Sequence, residues 1–115
     1  MPHRLEPKGD VGHTQRVDAH SEQITMALRA LERAIVPPRP GDSLGTWRWS
    51  VRQRLGHLRE ALAAVDLGLA PRERSALMGR FATLAADVLE RADVDAVRAE
   101  LRRLLADVSH TTAAV

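Results

Sequence analysis

Residues 44–65 of the chain read LGTWRWSVRQRLGHLREALAAV, and the spacing of the large apolar side chains in this stretch predicts the fold class. These side chains, separated by steps of three or four residues, are Leu44, Trp47, Val51, Leu55, Leu58, Leu62 and Val65. A mean step of about 3.5 residues places them in one stripe along a helix, and such a stripe packs against other helices. The stretch therefore predicts one helix of a bundle, starting after Asp42 or Ser43.

Three other segments carry similar stripes. A first helix is predicted to begin near Thr14 or Asp18, which are both suitable N-caps, and to end near Val36, before a proline-rich turn. Pro71 suits the first position of a third helix, and Asp93 suits the N-cap of a fourth. Their stripes are Val17, His20, Ile24, Leu28, Leu31 and Ile35; Leu77, Phe81, Leu84 and Val88; and Val94, Val97, Leu101, Leu104 and Val108. The sequence thus predicts an all-α, antiparallel, up-down-up-down four-helix bundle.

The length of 115 residues is typical of one domain and is sufficient for a hydrophobic core. Only three residues are aromatic, so the core must be built from Leu, Val, Ile and Ala, which suits helices. Residues 1–13 are rich in proline, glycine and charge and have no helical period. We therefore expect a flexible N-terminal arm over residues 1–13 and a four-helix bundle domain over residues 14–115.

The composition excludes several kinds of site and segment. Cysteine is absent, which excludes disulfides, thiolate metal sites, iron–sulfur clusters and thiol nucleophiles. The amino-terminal residues lack the apolar core of a signal peptide, and no stretch approaches the roughly 18 apolar residues of a membrane span. We therefore expect a cytoplasmic protein that does not contact a membrane.

The charge balance bears on nucleic-acid binding. Basic residues number 17 against 15 acidic residues, which gives a formal net charge of +2 at pH 7. The pI near 10.3 arises because 16 of the basic residues are arginines, which stay protonated. The helices also lack a helix-turn-helix pattern, so we expect that nucleic acid is not the partner.

Known catalytic and cofactor-binding motifs do not occur in the sequence. The Glu-x-x-His pairs of di-iron bundles, the His-Glu-x-x-His of zinc proteases and the glycine-rich phosphate loops are all missing. Ser109 and His110 are adjacent, but adjacent residues on a helix point about 100° apart, so they do not form a catalytic dyad. Acidic pairs such as Glu90 and Asp93 are explained as helix ends. We therefore predict that the protein is not an enzyme and has no catalytic residues and no cofactor.

The histidines are the remaining candidates for metal binding. His13 and His20 lie on the extension of the first apolar stripe, and His57 lies one turn from Glu60. Each could be a ligand or an ordinary solvated histidine near a helix end. We predict no metal site, and the sequence leaves open whether His20, His57 or His110 retains metal affinity.

The second helix carries arginines beside a tryptophan that lies off the stripe. Arg48, Arg52 and Arg59 share one flank, while Trp49 is displaced from the stripe that contains Trp47. We expect Trp47 to be buried and Trp49 to be exposed. Tryptophan and arginine are the most frequent anchors of protein–protein interfaces. The candidate interaction surface consists of Arg48, Trp49, Arg52 and Arg59.

Several segments together resemble bacterial hemerythrin-like four-helix domains. The run from Ala19 to Glu32 is an Ala-His pair followed by a leucine-rich helix, and a proline-rich turn and the Trp47 stripe come next. The stretch from Val97 to His110 is similar to the last helix of those domains. The resemblance implies a four-helix fold in which His20 lies at the position of the first helix's iron ligand.

The same resemblance implies that the di-iron site is lost. Hemerythrin-like domains hold two irons with histidines and bridging carboxylates. In this sequence Val65 stands where the second helix carries a ligand, and no Asp or Glu follows His110. The resemblance therefore implies a bundle retained for another purpose.

These observations lead to one functional hypothesis and two alternatives. The hypothesis is a non-enzymatic interaction or regulatory module that binds a protein partner and exists as a monomer or homodimer. The first alternative is a metal- or oxygen-sensing hemerythrin relative with a reduced site. The second is a basic nucleic-acid accessory protein.

Overall fold

The computed structural model describes residues 21–113, and all regular elements in this range are α-helices. The helices are α1 (residues 21–34), α2 (Leu44–Ala63), α3 (Pro71–Glu90) and α4 (Val94–Ala113). No strand occurs between residues 21 and 113. Within this range the prediction of four helices and an all-α fold is therefore confirmed. The predicted arm over residues 1–13 and the predicted helix start near Thr14 or Asp18 lie outside the described residues.

The starts of the last three helices agree with the cap residues that the sequence supplies. The Ser43 hydroxyl accepts a hydrogen bond from the Thr46 amide (3.4 Å), and the Asp93 carboxylate accepts one from the Ala96 amide (3.0 Å). Pro71 opens α3, where its missing N–H costs nothing. The Ser43 and Asp93 side chains thus bind amides that have no partner inside the helix, and Pro71 removes one such amide.

The helix stripes pack into one core. Helix α3 contacts both α2 and α4, and buried residues of all four helices belong to a single cluster. The buried residues are Ile24, Leu31, Ile35, Trp47, Val51, Leu55, Leu58, Leu62, Leu67, Leu77, Phe81, Leu84, Val88, Val97, Leu101, Leu104, Leu105 and Val108. Each helix therefore contributes one apolar side, as a bundle requires.

A few stripe residues differ from the prediction. Leu44 is the first residue of α2 and is 41% exposed, so the stripe packs only from Trp47 onward. Helix α2 ends at Ala63, and Val65 lies beyond it, half-buried in the following turn. Gly68 allows that turn, because its positive φ of 71° is a conformation that other residues rarely adopt.

The two tryptophans have different environments. Trp47 is buried and its indole Nε1 donates a hydrogen bond to the Val36 carbonyl oxygen (2.8 Å), whereas Trp49 is 61% exposed. The prediction for both residues is confirmed. Among the described helices, none combines the length and the apolar character needed to cross a membrane.

Candidate functional site

Arg48 of the candidate interaction surface is bound to the end of another helix. Its two terminal nitrogens donate hydrogen bonds to the carbonyl oxygens of Leu89 and Arg91, each at 2.9 Å. These carbonyls lie at the carboxyl end of α3, where the helix itself supplies no donor. Arg48 Nε is buried and has no hydrogen-bond partner among residues 21–113. The terminal nitrogens of Arg48 therefore bind groups within the fold.

Two further arginines donate hydrogen bonds in the same way at the carboxyl ends of α2 and α1. Arg74 of α3 donates to the carbonyl oxygens of Ala63 (3.0 Å) and Val65 (3.1 Å) at the end of α2. Arg98 of α4 donates from Nε to the Ile35 carbonyl oxygen (2.6 Å) after α1. A cation at a helix carboxyl end is favoured by the helix dipole, and the planar guanidinium can reach two carbonyls at once. We call Arg48, Arg74 and Arg98 the cross-helix caps.

Sequence reasoning missed the cross-helix caps. The signal that could have found them is positional, since Arg48 and Arg98 are the fifth residues of α2 and α4, and Arg74 is the fourth residue of α3. Which arginine reaches which carbonyl depends on the packing of neighbouring helices, and the helical period alone does not give it.

The other three residues of the candidate surface, Trp49, Arg52 and Arg59, border a groove between α2 and α3. The α2–α3 groove has a volume of about 490 Å³ and is lined by Trp49, Arg52, Gln53, Leu55, Gly56, His57, Arg59, Glu60, Phe81, Ala82 and Ala85. Arg52 and Arg59 are exposed, and neither forms an ion pair with any residue of the described range.

The two walls of the α2–α3 groove differ in chemistry. The α2 wall carries these two arginines, which have no ion pair within residues 21–113, with His57 between them in the sequence and Glu60 directly after Arg59. The α3 wall carries only the small apolar side chains of Ala82 and Ala85 above the buried Phe81 ring. Gly56 leaves open space on the α2 side, since a Cβ built there meets nothing within 4 Å. A side chain or helix from outside can therefore approach the groove floor closely.

The seam between α3 and α4 is closed by ion pairs. Arg91 binds Glu100 at 2.9 Å, and Arg80 binds Asp107 at 2.8 Å. The hydrogen bond that Arg91 donates to the Glu100 carboxylate, followed by the negative charge of that carboxylate, raises the pKa of Arg91 above its ordinary value. Arg80 and Arg91 thus each bind an acid of α4, unlike Arg52 and Arg59, whereas Arg103 lines the same seam without an ion pair within residues 21–113.

The described histidines do not converge on a metal-binding cluster. His57 lies exposed at the α2–α3 groove, and His110 lies exposed on α4 beside the exposed Ser109. Within residues 21–113, no group of three or more His, Cys, Asp or Glu side chains comes together. His13 and His20 lie outside the described residues.

A larger cavity, of about 680 Å³, lies where the beginning of α1, the α2–α3 connection and the end of α4 meet. Its lining includes Ser21 and Ala113, the first and last residues that the structure describes. Its rim therefore borders chain outside the described range, and we assign no site to it.

Comparison of the chain with known protein families, with curated proteins and with solved structures finds no match.

Proposed function

We propose that this chain is a non-enzymatic protein-interaction or regulatory module that binds a protein partner at the α2–α3 groove. The observation that carries the proposal is Trp49, which is 61% exposed at the edge of the groove. A large aromatic ring in water is unfavourable unless a partner covers it, and tryptophan is the residue most enriched among interface anchors.

The surroundings of Trp49 distinguish it from the other exposed apolar side chains. Met26 and Val36 are also exposed, but neither lies at the α2–α3 groove. Trp49 lies beside Arg52, and arginine is the second residue type that dominates interface energetics. An apolar ring, cations that have no ion pair with the described part of the chain, and an accessible floor in one place support a docking surface.

The finer architecture forms part of the same proposal. We infer that the helices run antiparallel in up-down-up-down order, because short connections join neighbouring helices. Two cross-helix caps support this order, since Arg48 near the start of α2 reaches the end of α3 and Arg74 near the start of α3 reaches the end of α2. We further propose a cytoplasmic monomer or homodimer, derived from a hemerythrin-like domain that has lost its di-iron site.

The proposed function is tested by photo-crosslinking in the native host. p-Benzoyl-phenylalanine replaces Gln53, which lines the α2–α3 groove and is exposed, so that Trp49 stays intact. The matched control carries the same crosslinker at Met26, which is 68% exposed on α1. We expect a discrete protein adduct from position 53 and none of that mass from position 26.

The dependence on Trp49 completes this test. The adduct from position 53 should disappear in the Trp49→Ala background, because the partner loses its anchor. Identical adducts from positions 53 and 26, or an adduct indifferent to Trp49→Ala, would contradict the proposal.

The two alternatives have their own measurements. Exposed arginines beside a tryptophan also suit single-stranded nucleic acid, so a salt-dependent titration with DNA and RNA tests the accessory-protein alternative. Metal analysis of the purified chain tests the metal- or oxygen-sensing alternative. Tight binding whose affinity falls steeply with salt, or stoichiometric iron, would favour the corresponding alternative.

A further inference from the structure

We propose that the partner at the α2–α3 groove presents an acidic amphipathic helix whose carboxylates are spaced seven residues apart with an apolar side chain between them. This inference rests on the proposed function and specifies the chemistry of its partner.

The spacing follows from Arg52 and Arg59. They are seven residues apart on α2, which corresponds to two helical turns or about 10.5 Å along the axis. Both are exposed, and neither is paired within residues 21–113. A second helix lying along α2 meets both cations when its own carboxylates recur with the same spacing.

The protein already uses this chemistry inside its own fold. Glu100 and Asp107 are seven residues apart on α4. Glu100 binds Arg91, the residue that directly follows α3, at 2.9 Å, and Asp107 binds Arg80 of α3 at 2.8 Å. Acids of one helix thus bind arginines of the neighbouring segment, although the two arginines are here eleven residues apart. The α2–α3 groove offers the arginines, but its opposite wall carries Ala82 and Ala85 in place of acids. Glu60, the acid among the lining residues, follows Arg59 on α2 itself, so carboxylates that face both arginines from a second helix must come from outside the groove.

The groove floor specifies what lies between the two carboxylates. Gly56 lies between Arg52 and Arg59 on α2, and the space beside it is open. The facing wall is formed by Ala82 and Ala85, with the Phe81 ring beneath. A partner helix that approaches this wall excludes water from apolar surface, so an apolar side chain is favoured between its carboxylates.

A second copy of this chain does not present the required helix. Among helices α1 to α4 as described, the only acids seven residues apart on one helix are Glu100 and Asp107. Both are already paired with arginines of their own chain. The occupant is therefore assigned to a different protein.

The test uses two synthetic peptides and fluorescence anisotropy. Each probe is a fluorescein-labelled, alanine-rich helical peptide of about 18 residues, a length at which alanine-rich peptides form helices in water. One peptide carries two glutamates seven residues apart with leucines between them. The other has the same composition, but its second glutamate is moved by two residues, which rotates it by about 200°. We expect the full chain to bind the first peptide about two- to fivefold more tightly than the second, because the second peptide loses one surface ion pair.

A charge swap identifies the arginines responsible. The double variant Arg52→Glu/Arg59→Glu should lose about tenfold or more in affinity for the first peptide and should gain affinity for a version with lysines in place of its glutamates. The matched control is Arg29→Glu/Arg33→Glu, which changes net charge equally on the exposed face of α1. This control should keep binding within about twofold of the wild-type chain at physiological salt.

Each other outcome overturns the inference. Equal binding of the two peptides removes the spacing argument, and equal losses in the two double variants indicate nonspecific charge attraction. Self-association of the chain that is lost in Arg52→Glu/Arg59→Glu assigns the groove to a second copy. If crosslinking from position 53 captures a partner while the peptides fail, the proposed function stands and only the acidic helix is refuted. If that crosslinking fails as well, both are refuted.

Discussion

Replacing Arg74 by alanine should destabilise the bundle although Arg74 lies outside the main core. The side chain donates one partly buried hydrogen bond to the Val65 carbonyl and one exposed hydrogen bond to the Ala63 carbonyl. A hydrogen bond from a charged group contributes about 1.5 kcal/mol to the free energy of unfolding when it is shielded from water and about 1 kcal/mol when it is exposed. The loss is therefore about 2.5 kcal/mol, which corresponds to a decrease in Tm of about 10 °C for a domain of this size.

The assay for this prediction is urea unfolding followed by far-UV circular dichroism, with Arg72→Ala as the control. Arg72 is exposed on the same helix and makes no hydrogen bond or ion pair within the described range, so its loss should stay within about 0.5 kcal/mol. Arg74→Lys should recover less than half of the lost stability, because an ammonium group lacks the planar fork. Equal stability of the Arg72 and Arg74 alanine variants, or full recovery by lysine, would refute the capping argument.

Other predictions concern single residues. Trp47→Ala should cost about 3 to 5 kcal/mol of unfolding free energy, as for a buried aromatic residue, whereas Trp49→Ala should cost less than about 1 kcal/mol, and equal losses in chemical denaturation would contradict the assigned environments. Gly79→Ala should raise the free energy of unfolding by about 1 kcal/mol, measured by thermal unfolding, since the new Cβ in mid-helix would meet nothing within 4 Å. Gly68→Ala should lower the free energy of unfolding by a similar amount, because Gly68 has a φ of 71°. The purified chain should bind no iron after reconstitution with a ferrous salt; metal analysis that finds about two irons per chain, lost on His20→Ala, would support the sensing alternative.

Local chemistry explains why much of the fold could be predicted. Ser43 and Asp93 accept hydrogen bonds from amides in the first turns of α2 and α4, and Pro71 occupies a position where α3 needs no N–H. The sequence alone therefore places the starts of α2, α3 and α4. The apolar period likewise assigns Trp47 to the core and Trp49 to the surface, because a helix fixes the angle between neighbouring residues.

Contacts between distant residues could not be predicted in this way. Arg48 lies on the same flank of α2 as Arg52, and the period gives no reason to separate the two. The difference arises because the end of α3 lies within reach of Arg48 only, a fact of tertiary packing. Leu67 is buried in a connection, where no helical period applies, and it was missed for a related reason.

The cross-helix caps have a consequence for how the bundle opens. Helix ends ordinarily fray one turn at a time, because their last carbonyls are free to exchange partners with water. Here the ends of α1, α2 and α3 are held by Arg98, Arg74 and Arg48, each of which belongs to a different helix. Loosening one helix thus withdraws a donor from the terminus of another, so partial opening propagates. Hydrogen exchange in the last turns of α2 and α3 should consequently approach the rate of global unfolding, and the four helices should behave as one cooperative unit.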